Sequence, residues 1–503
     1  MKKLLYSSSI ALMGLGACSE SFLDVYPPTS RMSVDFYQTE ADLIQGLISA
    51  YDPLQWDSYV WGQYNQITMI SDMMGDDIAT AGGGNEFDQE RLTLLHRFSI
   101  TPLMQPDGLW TIYYSGVNRT LHVIENANKI EGISEANKNR ILGEAKFLFA
   151  YYYHWMWKLW GNIPYYDKNL VTPYTAPQLP ADEVYAKLVA IMDEIIKGDY
   201  LPVSVPDGEL GRITRAAAQM LKARIVMYQK DATRYAEVLA DMENIQTQGY
   251  ALYDDFEKMF TDDGEFCEES IFEVNYWDKS ASRTWDYTNG VGGTVFPKFI
   301  GPRGLKNSPV FQEGWGFEPV KKEAYDLFSS DDQRKDATIL NIDKHIAENP
   351  GVEYTPGYGN TGYFNKKYAP RAGYNDVTTG NTDMNFRNNI RIFRYAETLL
   401  NIAELRLRLG TGDAQTPYDD VRRRALGDAF AQQTVTLDLI LHERRLEFML
   451  EGHRYWDLQR FDKAETALAD KGYAAFKKYW PIPSAEIDRT SGMQDELKPN
   501  PWK

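Results

Sequence analysis

The sequence predicts a mainly α-helical protein in which a scaffold of paired helices carries a long loop-rich segment. Apolar residues recur at helical spacing through most of 39–250 and return after 385. Between them, residues 251–384 are rich in Gly, Asn, Asp and aromatic side chains and show few helical stretches. Aromatic residues make up 13% of the 503-residue chain, which allows a large core. Their density in the loop-rich segment argues against disorder there.

The first predicted helix carries Leu43, Leu47 and Tyr51 on one face and ends near Pro53. Other helices are predicted over 109–130, 134–160, 182–196, 214–229, 234–248, 392–409 and 437–451. Pairs of antiparallel helices build helical-repeat solenoids. Ala145 and Phe149 match one part of the tetratricopeptide pattern. We therefore predict an irregular tetratricopeptide-like scaffold, with an unrelated helical domain as the alternative.

The N-terminus has the pattern of an export signal. Residues 1–17 combine two lysines with an apolar run that is shorter than the roughly 20 residues needed to span a bilayer. Small residues then precede Cys18, an order that resembles a bacterial lipobox and predicts cleavage before a lipidated Cys18. An ordinary signal peptide with an incidental cysteine is the alternative. Glu20 resembles the surface-export signal of Bacteroidetes lipoproteins, so we expect an outer-membrane anchor facing the cell exterior.

Composition excludes several classes of function. Loss of two signal-peptide lysines would move the formal charge from −18 to −20, which argues against nucleic acid as a partner. Cys267 is the only other cysteine, so no disulfide framework is expected. His442-Glu443 begins like a zinc-protease motif, but Leu446 replaces the second ligand. We therefore predict neither an enzyme nor a cofactor.

One acidic segment raises the question of a metal. Residues 261–269 contain five acidic side chains close together, and such oxygen ligands could hold calcium. Their spacing does not fit an EF-hand loop, so a solvated acidic turn is the preferred interpretation.

Four stretches, taken together, resemble the SusD/RagB family of nutrient-binding lipoproteins. They occur in the family's order, with the lipobox before them, and comprise 212–223 (RITRAAAQMLKA), 394–404 (RYAETLLNIAE), 441–460 (LHERRLEFMLEGHRYWDLQR) and 481–487 (PIPSAEI). The resemblance implies a helical scaffold with four tetratricopeptide-like units and a variable loop region. It also implies a glycan-binding protein, partnered with a SusC-like TonB-dependent transporter, that performs no chemistry on its ligand.

With this resemblance, the chain divides into five parts. Residues 1–17 form the signal, 18–38 the lipidated tether, 39–250 the N-terminal helical region, 251–384 the loop-rich ligand-binding region and 385–503 the C-terminal helical region. In the motif at 441–460, Glu443, Arg444, Glu447 and Glu451 fall at spacings that predict pairing along one helix.

Aromatic side chains in the loop-rich region are the main candidates for ligand contact. A sugar ring has an apolar face that suits flat aromatics and a hydroxyl rim that suits Asp, Asn and Arg. The predicted aromatic contacts are Trp277, Trp285, Tyr287 and Trp315, which are surrounded by Gly and polar residues. By resemblance to the family, the early loop adds polar contacts from Asp72, Asp76 and Asp77. The alternatives are core positions for the rings and solvated loop positions for the acids.

Three other functions stay open at this point. A peptide-binding member of the same family would favour basic peptides, given the acidic chain. A glycoside hydrolase would need two carboxylates about 5–9.5 Å apart, which sequence cannot show. A helical scaffold without any nutrient ligand is the last alternative.

Overall fold

The computed structural model describes residues 36–57, 64–85, 88–279, 283–285, 292–377 and 379–500. The predicted lipidation site Cys18 and the predicted ligand contact Tyr287 lie outside these residues. Among the helices that the structure describes, none is both long enough and apolar enough to cross a membrane.

Eight helices make up the amino-terminal part of the described chain. They are α1 (Glu40–Tyr51), α2 (Ile67–Met73), α3 (Glu90–His96), α4 (Gly108–Ala127), α5 (Glu135–Trp160), α6 (Ala181–Lys197), α7 (Arg215–Gln229) and α8 (Tyr235–Ile245). A short 3-10 turn, Asp52–Gln55, follows α1 at Pro53. The sequence predicted all of these except α2 and α3, to within a few residues at each end.

Local capping explains where several of these helices begin. The Ser134 hydroxyl accepts a hydrogen bond from the Asn137 amide at the start of α5 (3.2 Å), and Thr214 does the same for α7. Thr39 and Asp42 form a reciprocal capping box on α1. At the other end of α5, Gly161 adopts a φ of 69°, a conformation that favours glycine and ends the helix.

Successive helices pack against each other, as expected for paired helices. Contacts run from α4 to α5, α5 to α6, α6 to α7 and α7 to α8. Gly116 of α4 lies so close to the Tyr152 ring of α5 that a Cβ there would sit 2.4 Å from it. The buried Ala216, Ala217 and Ala218 give α7 a similarly small surface. The mainly helical fold class is confirmed.

The loop-rich segment contains short elements rather than a continuous sheet. Its strands are β3 (Ser270–Val274), β4 (Leu305–Lys306), β5 (Ile339–Asn341), β6 (Glu353–Tyr354) and β7 (Tyr363–Asn365), after β1 (Ile163–Pro164) and β2 (Gln178–Leu179) in the helical region. Its helices are α9 (Phe296–Ile300), α10 (Lys322–Tyr325), α11 (Arg334–Thr338) and α12 (Ile342–Glu348). A small apolar cluster around Phe311, Ile342 and Phe364 supports these loops.

The carboxy-terminal part returns to helix and completes the scaffold. Its elements are β8 (Ile390–Arg394), α13 (Tyr395–Leu409), α14 (Gln415–Leu426), α15 (Leu437–Glu447), α16 (Arg454–Arg460), α17 (Ala464–Ala467) and α18 (Ser484–Thr490). The helix predicted from 392 begins only at Tyr395, because 390–394 pairs antiparallel with β3. Helix α13 packs on α8, and α16 packs on α7.

The charges of the 441–460 motif pair across elements, so the prediction of pairing along one helix is wrong. Glu447 accepts hydrogen bonds from Arg334 (2.9 Å) and Arg394 (3.0 Å), which come from other parts of the chain. Glu451 binds Arg394 and the buried Lys367. Although burial opposes it, the nearby cations, with Arg424 first and Arg394 and Arg334 after it, hold the pKa of Glu447 well below its usual range. The motif is therefore a buried ionic junction between α15, β8 and the loop-rich segment.

Candidate functional site

An aromatic patch lies where the loop-rich segment meets the turn before α2. We define it as Tyr64 and Trp315, which pack on Phe299 and Phe317, together with Trp285, which packs on Trp315. The Trp285 and Trp315 rings are stacked, with centroids 5.6 Å apart and planes at 22°. Tyr64 meets Trp315 edge-on at 5.7 Å. Both indoles are half-buried, whereas the two supporting phenylalanines are buried.

Backbone geometry fixes the position of Trp315. Its amide donates to the Lys298 carbonyl of α9 (2.7 Å), and the Phe317 amide donates to the Phe299 carbonyl (3.0 Å). Gly314 allows this approach, because a Cβ there would lie 2.4 Å from the Gly301 backbone. The glycine that the sequence places beside Trp315 therefore lets the backbone hold the indole against α9.

Trp277 stands apart from the patch. Its side chain is 51% exposed, and the Lys279 ammonium lies 5.6 Å from the ring centroid. Its amide donates to the Gly292 carbonyl (3.2 Å). The structure thus brings together Trp285 and Trp315 among the predicted aromatics and leaves Trp277 as a separate exposed ring.

A buried polar junction anchors the loops that flank the patch. Asp57 accepts hydrogen bonds from the Thr294 hydroxyl and from the Tyr276 phenol (3.3 Å). Arg283 donates to the Gln55 carbonyl (2.7 Å) and to Gly293. Burial raises the pKa of Asp57 to about 6, against the opposing charge of Arg283. The junction ties the chain before residue 58 to the chain on both sides of 286–291.

Polar side chains beside Tyr64 form a wall that the sequence did not predict. A cavity of about 220 Å³ is lined by Tyr64, Asp88, Gln89, Arg91, Met104 and others. Asp88 accepts from the Gly83 amide (2.7 Å) and from Arg303 (3.2 Å). Burial raises the pKa of the Tyr64 phenol, which also bonds Gln89. Aromatic faces and hydrogen-bonding groups thus meet at one surface.

The three predicted loop acids have partners inside the protein. Asp72 is buried and accepts from the Gly452 amide (3.1 Å). Asp76 binds Arg454 with two hydrogen bonds, and Asp77 binds Arg445. This geometry argues against the prediction that Asp72, Asp76 and Asp77 contact the ligand: they join the end of α2 and the turn after it to the 441–460 motif, so we do not include them in the site.

The acidic segment at 261–269 is also engaged in ion pairs. Asp262 accepts from Arg387 (2.8 Å), and Glu269 accepts from Arg424 (2.9 Å). Cys267 in the same segment is half-buried and free, and burial raises the pKa of its thiol to about 11. Across the residues that the structure describes, no group of three His, Cys, Asp or Glu side chains is placed to hold a metal ion.

Comparison with known proteins places this architecture in a family. A profile described as "SusD family" matches residues 344–478, and one described as "Starch-binding associating with outer membrane" matches 21–227. Surface glycan-binding protein A from Bacteroides thetaiotaomicron, solved in complex with laminarihexaose, is 39% identical with a TM-score of 0.86. The match covers 92% of this chain and all of that one. The chain belongs to the SusD family.

Other members of the SusD family are similar to this protein in sequence, and one of them has a solved structure with the same fold. A laminarin-binding SusD-like protein is 30% identical, with a TM-score of 0.83, over 93% of this chain and all of that one. SusD-like protein P38 from Formosa agariphila is 25% identical over 94% of each chain. The family resemblance drawn from the motifs is confirmed, and the two profiles cover the RITRAAA motif and the two motifs between 394 and 460.

Proposed function

We propose that this protein binds a neutral glycan at its surface through the aromatic patch, and performs no chemistry on it. The stacked pair Trp285–Trp315 is the observation that carries the proposal. Stacked, half-buried indoles cover part of each other's faces, and the ring surface that the pair leaves exposed is what it offers to the C–H face of a sugar ring. Asp88, Gln89 and Arg91 line the cavity at Tyr64 and supply acceptors and donors for hydroxyl groups.

Relatives indicate the first glycan to test. One solved relative holds laminarihexaose and another is named for laminarin binding, so we propose a laminarin-type glucan as ligand. Loop residues near the patch set linkage and length preference, since binding specificity resides in loops held by a rigid scaffold.

The family resemblance extends the proposal to location and partner. We propose that Cys18 is acylated, that the protein faces the cell exterior on the outer membrane, and that it delivers glycan to a SusC-like TonB-dependent transporter. The profile description "associating with outer membrane" supports the location. Radiolabelled palmitate should enter the wild type and not C18A, and chemical cross-linking should recover a transporter of this class. An unlabelled wild type would refute the anchor.

Calorimetry with a panel of glycans tests the central claim. Trp315→Ala should weaken laminarihexaose binding by about thirtyfold, equivalent to about 2 kcal/mol for a central aromatic contact. Phe476→Ala is a surface control, because Phe476 is an aromatic side chain that is 51% exposed and lies in the segment Ala475–Lys477, outside the aromatic patch. The control should bind like the wild type.

Three outcomes would refute the proposal. Equal affinity of Trp315→Ala and wild type would show that the aromatic patch is not the glycan-binding site. Release of new reducing ends from laminarin by the purified protein would show that the protein hydrolyses the glycan. Binding of basic peptides in place of every glycan would favour the peptide-binding alternative.

A further inference from the structure

A second concave surface lies along helix α4. We call it the lateral groove and define it by Tyr114, Asn118, Tyr166, Tyr174, Glu486 and Arg489. Its volume is about 490 Å³, and it lies between α4, the chain from 164 to 176 and α18. Of the described residues that line it, none belongs to the aromatic patch. A cavity of this size can hold a small ligand or a short stretch of a polymer.

The aromatic wall of the lateral groove is rigid. Tyr114 and Tyr166 are stacked, with centroids 5.9 Å apart and planes at 12°. The Tyr114 hydroxyl donates to the Pro164 carbonyl (2.7 Å), and the Tyr166 amide donates to the Tyr153 hydroxyl (3.0 Å). Trp110 packs against Tyr114 at 4.9 Å. Flat rings held this firmly lose little entropy when a ligand binds.

The mouth of the lateral groove presents both hydrogen-bond donors and hydrogen-bond acceptors. Arg489 donates twice to one oxygen of Glu486 (3.0 and 2.8 Å) and once to the Tyr174 carbonyl (3.3 Å). The other Glu486 oxygen and the half-exposed guanidinium thus stand side by side. A sugar hydroxyl both donates and accepts, so an adjacent carboxylate and guanidinium can satisfy it. Tyr174, 60% exposed, adds an aromatic ring at the rim.

Helix α4 connects the surroundings of the two sites. Ile112 and Tyr113 face a small cavity that Asp57 and Tyr276 also line, whereas Tyr114 and Asn118 of the same helix face the lateral groove. Similarly, Met104 and Pro106 line the cavity at Tyr64, and Trp110 lines the lateral groove. The cavity at Tyr64, the small cavity at Asp57 and the lateral groove are therefore all lined by residues between 104 and 118.

We propose that the lateral groove is a second carbohydrate-binding site, which engages a different part of the same polysaccharide that the aromatic patch binds. The inference rests on the proposed glycan-binding function. The concave shape, the fixed ring pair and the mixed charges at the mouth favour a sugar over a protein partner, whose interfaces are typically broader and flatter. Two linked sites strengthen binding of a polymer that reaches both, whereas a short oligosaccharide occupies one at a time.

Calorimetry with laminarihexaose and with polymeric laminarin tests this inference. Arg489→Ala and Tyr174→Gly alter exposed parts of the groove, and Tyr174 has a φ of 59°, which glycine adopts readily. Each variant should keep the hexasaccharide affinity of the patch within about twofold and lose about tenfold or more in polymer affinity. Phe476→Ala again serves as the surface control.

The outcomes separate the inference from the function on which it rests. If Trp315→Ala loses hexasaccharide binding while both groove variants bind polymer like the wild type, the second site is refuted and the proposed function stands. If the wild type binds no glycan, both fail. If the groove variants keep polymer affinity but no longer cross-link to the transporter, the groove is a protein interface and the inference is overturned.

Discussion

The Arg454 guanidinium binds the Asp76 carboxylate with two hydrogen bonds, of 2.7 and 2.9 Å, across 378 positions of sequence. Arg445 holds the neighbouring Asp77 in a similar way, and the Gly452 amide donates to Asp72. Lys471 donates to the carbonyl of Met73, the last residue of α2 (2.9 Å). The turn after α2 is thus bound to the carboxy-terminal part of the chain by several independent contacts.

Breaking the Asp76–Arg454 pair should destabilise the fold without changing ligand binding. Asp76→Asn leaves a mostly buried guanidinium without its carboxylate, at a cost of about 2–4 kcal/mol in the free energy of unfolding. Chemical denaturation measures this cost. Asp326→Asn, which breaks the solvent-exposed Lys322–Asp326 pair, should leave the free energy of unfolding nearly unchanged. A loss of glycan affinity in the folded Asp76→Asn protein would restore Asp76 as a ligand contact.

Gly116 should be irreplaceable at the contact of α4 with α5. In Gly116→Ala the new Cβ would lie 2.4 Å from the buried Tyr152 ring, so the two helices must separate. We expect a loss of about 2 kcal/mol or more in the free energy of unfolding, despite alanine's better helix propensity. Gly208→Ala is the control, because a Cβ at that position would meet nothing within 4 Å. Equal stability of the two variants would disprove the close contact.

Because Glu318 is buried, the free energy of unfolding should fall as the pH rises. Burial, followed by the charge of Asp72, raises the pKa of Glu318 well above its usual value. Burial also raises the pKa of Asp72, aided by Asp77 and Glu451 and opposed by the Gly452 amide and Lys367. The folded state therefore retains a proton that the unfolded chain releases above about pH 4.3. The stabilising effect of this proton is fully present below that pH. It is lost as the pH rises through the raised pKa of Glu318.

Glu318→Gln should reduce this pH dependence, because Asp72 remains as a buried carboxyl with a raised pKa. Thermal unfolding should show wild type and variant close together near about pH 4 and the variant more stable by about 1 kcal/mol or more near about pH 8. Glu323→Gln, at an exposed position, is the control and should follow the wild type throughout. A constant difference between Glu318→Gln and wild type across this range would contradict the raised pKa.

Salt should have little effect on the binding of the proposed ligand. A neutral glycan meets rings and hydrogen bonds at the aromatic patch, so raising NaCl from about 0.05 to about 1 M should change the dissociation constant less than about threefold. A basic peptide attracted by the net charge of −18 would lose affinity steeply over the same range. Calorimetry at several salt concentrations distinguishes the two ligands.

Local signals made much of the helical scaffold predictable. Ser134 and Thr214 cap α5 and α7 as helix-starting residues do, and Gly161 ends α5. The start of α13 was placed too early, because β8 pairs with β3, more than a hundred residues away. The local sequence carries no information about pairing with a distant strand, and the apolar residues at 390–394 fit either a helix or a strand.

The candidate site was predictable only in part. The loop composition pointed to Trp285 and Trp315, which do come together. Tyr64 and Asp88 were missed, since more than two hundred residues separate them from Trp315 and nothing local marks them. Acids such as Asp76 and Asp77 look solvated in sequence, and only the folded chain reveals that Arg454 and Arg445 neutralise them.

The packing of α16 on α7 and of α13 on α8 also bears on how the molecule is made. Helices translated first are buried by helices translated last, so the nascent amino-terminal half emerges with apolar faces that have no partner until the ribosome has nearly finished. Truncation of the chain from its carboxy-terminal side should therefore abolish folding altogether rather than yield a shorter stable protein.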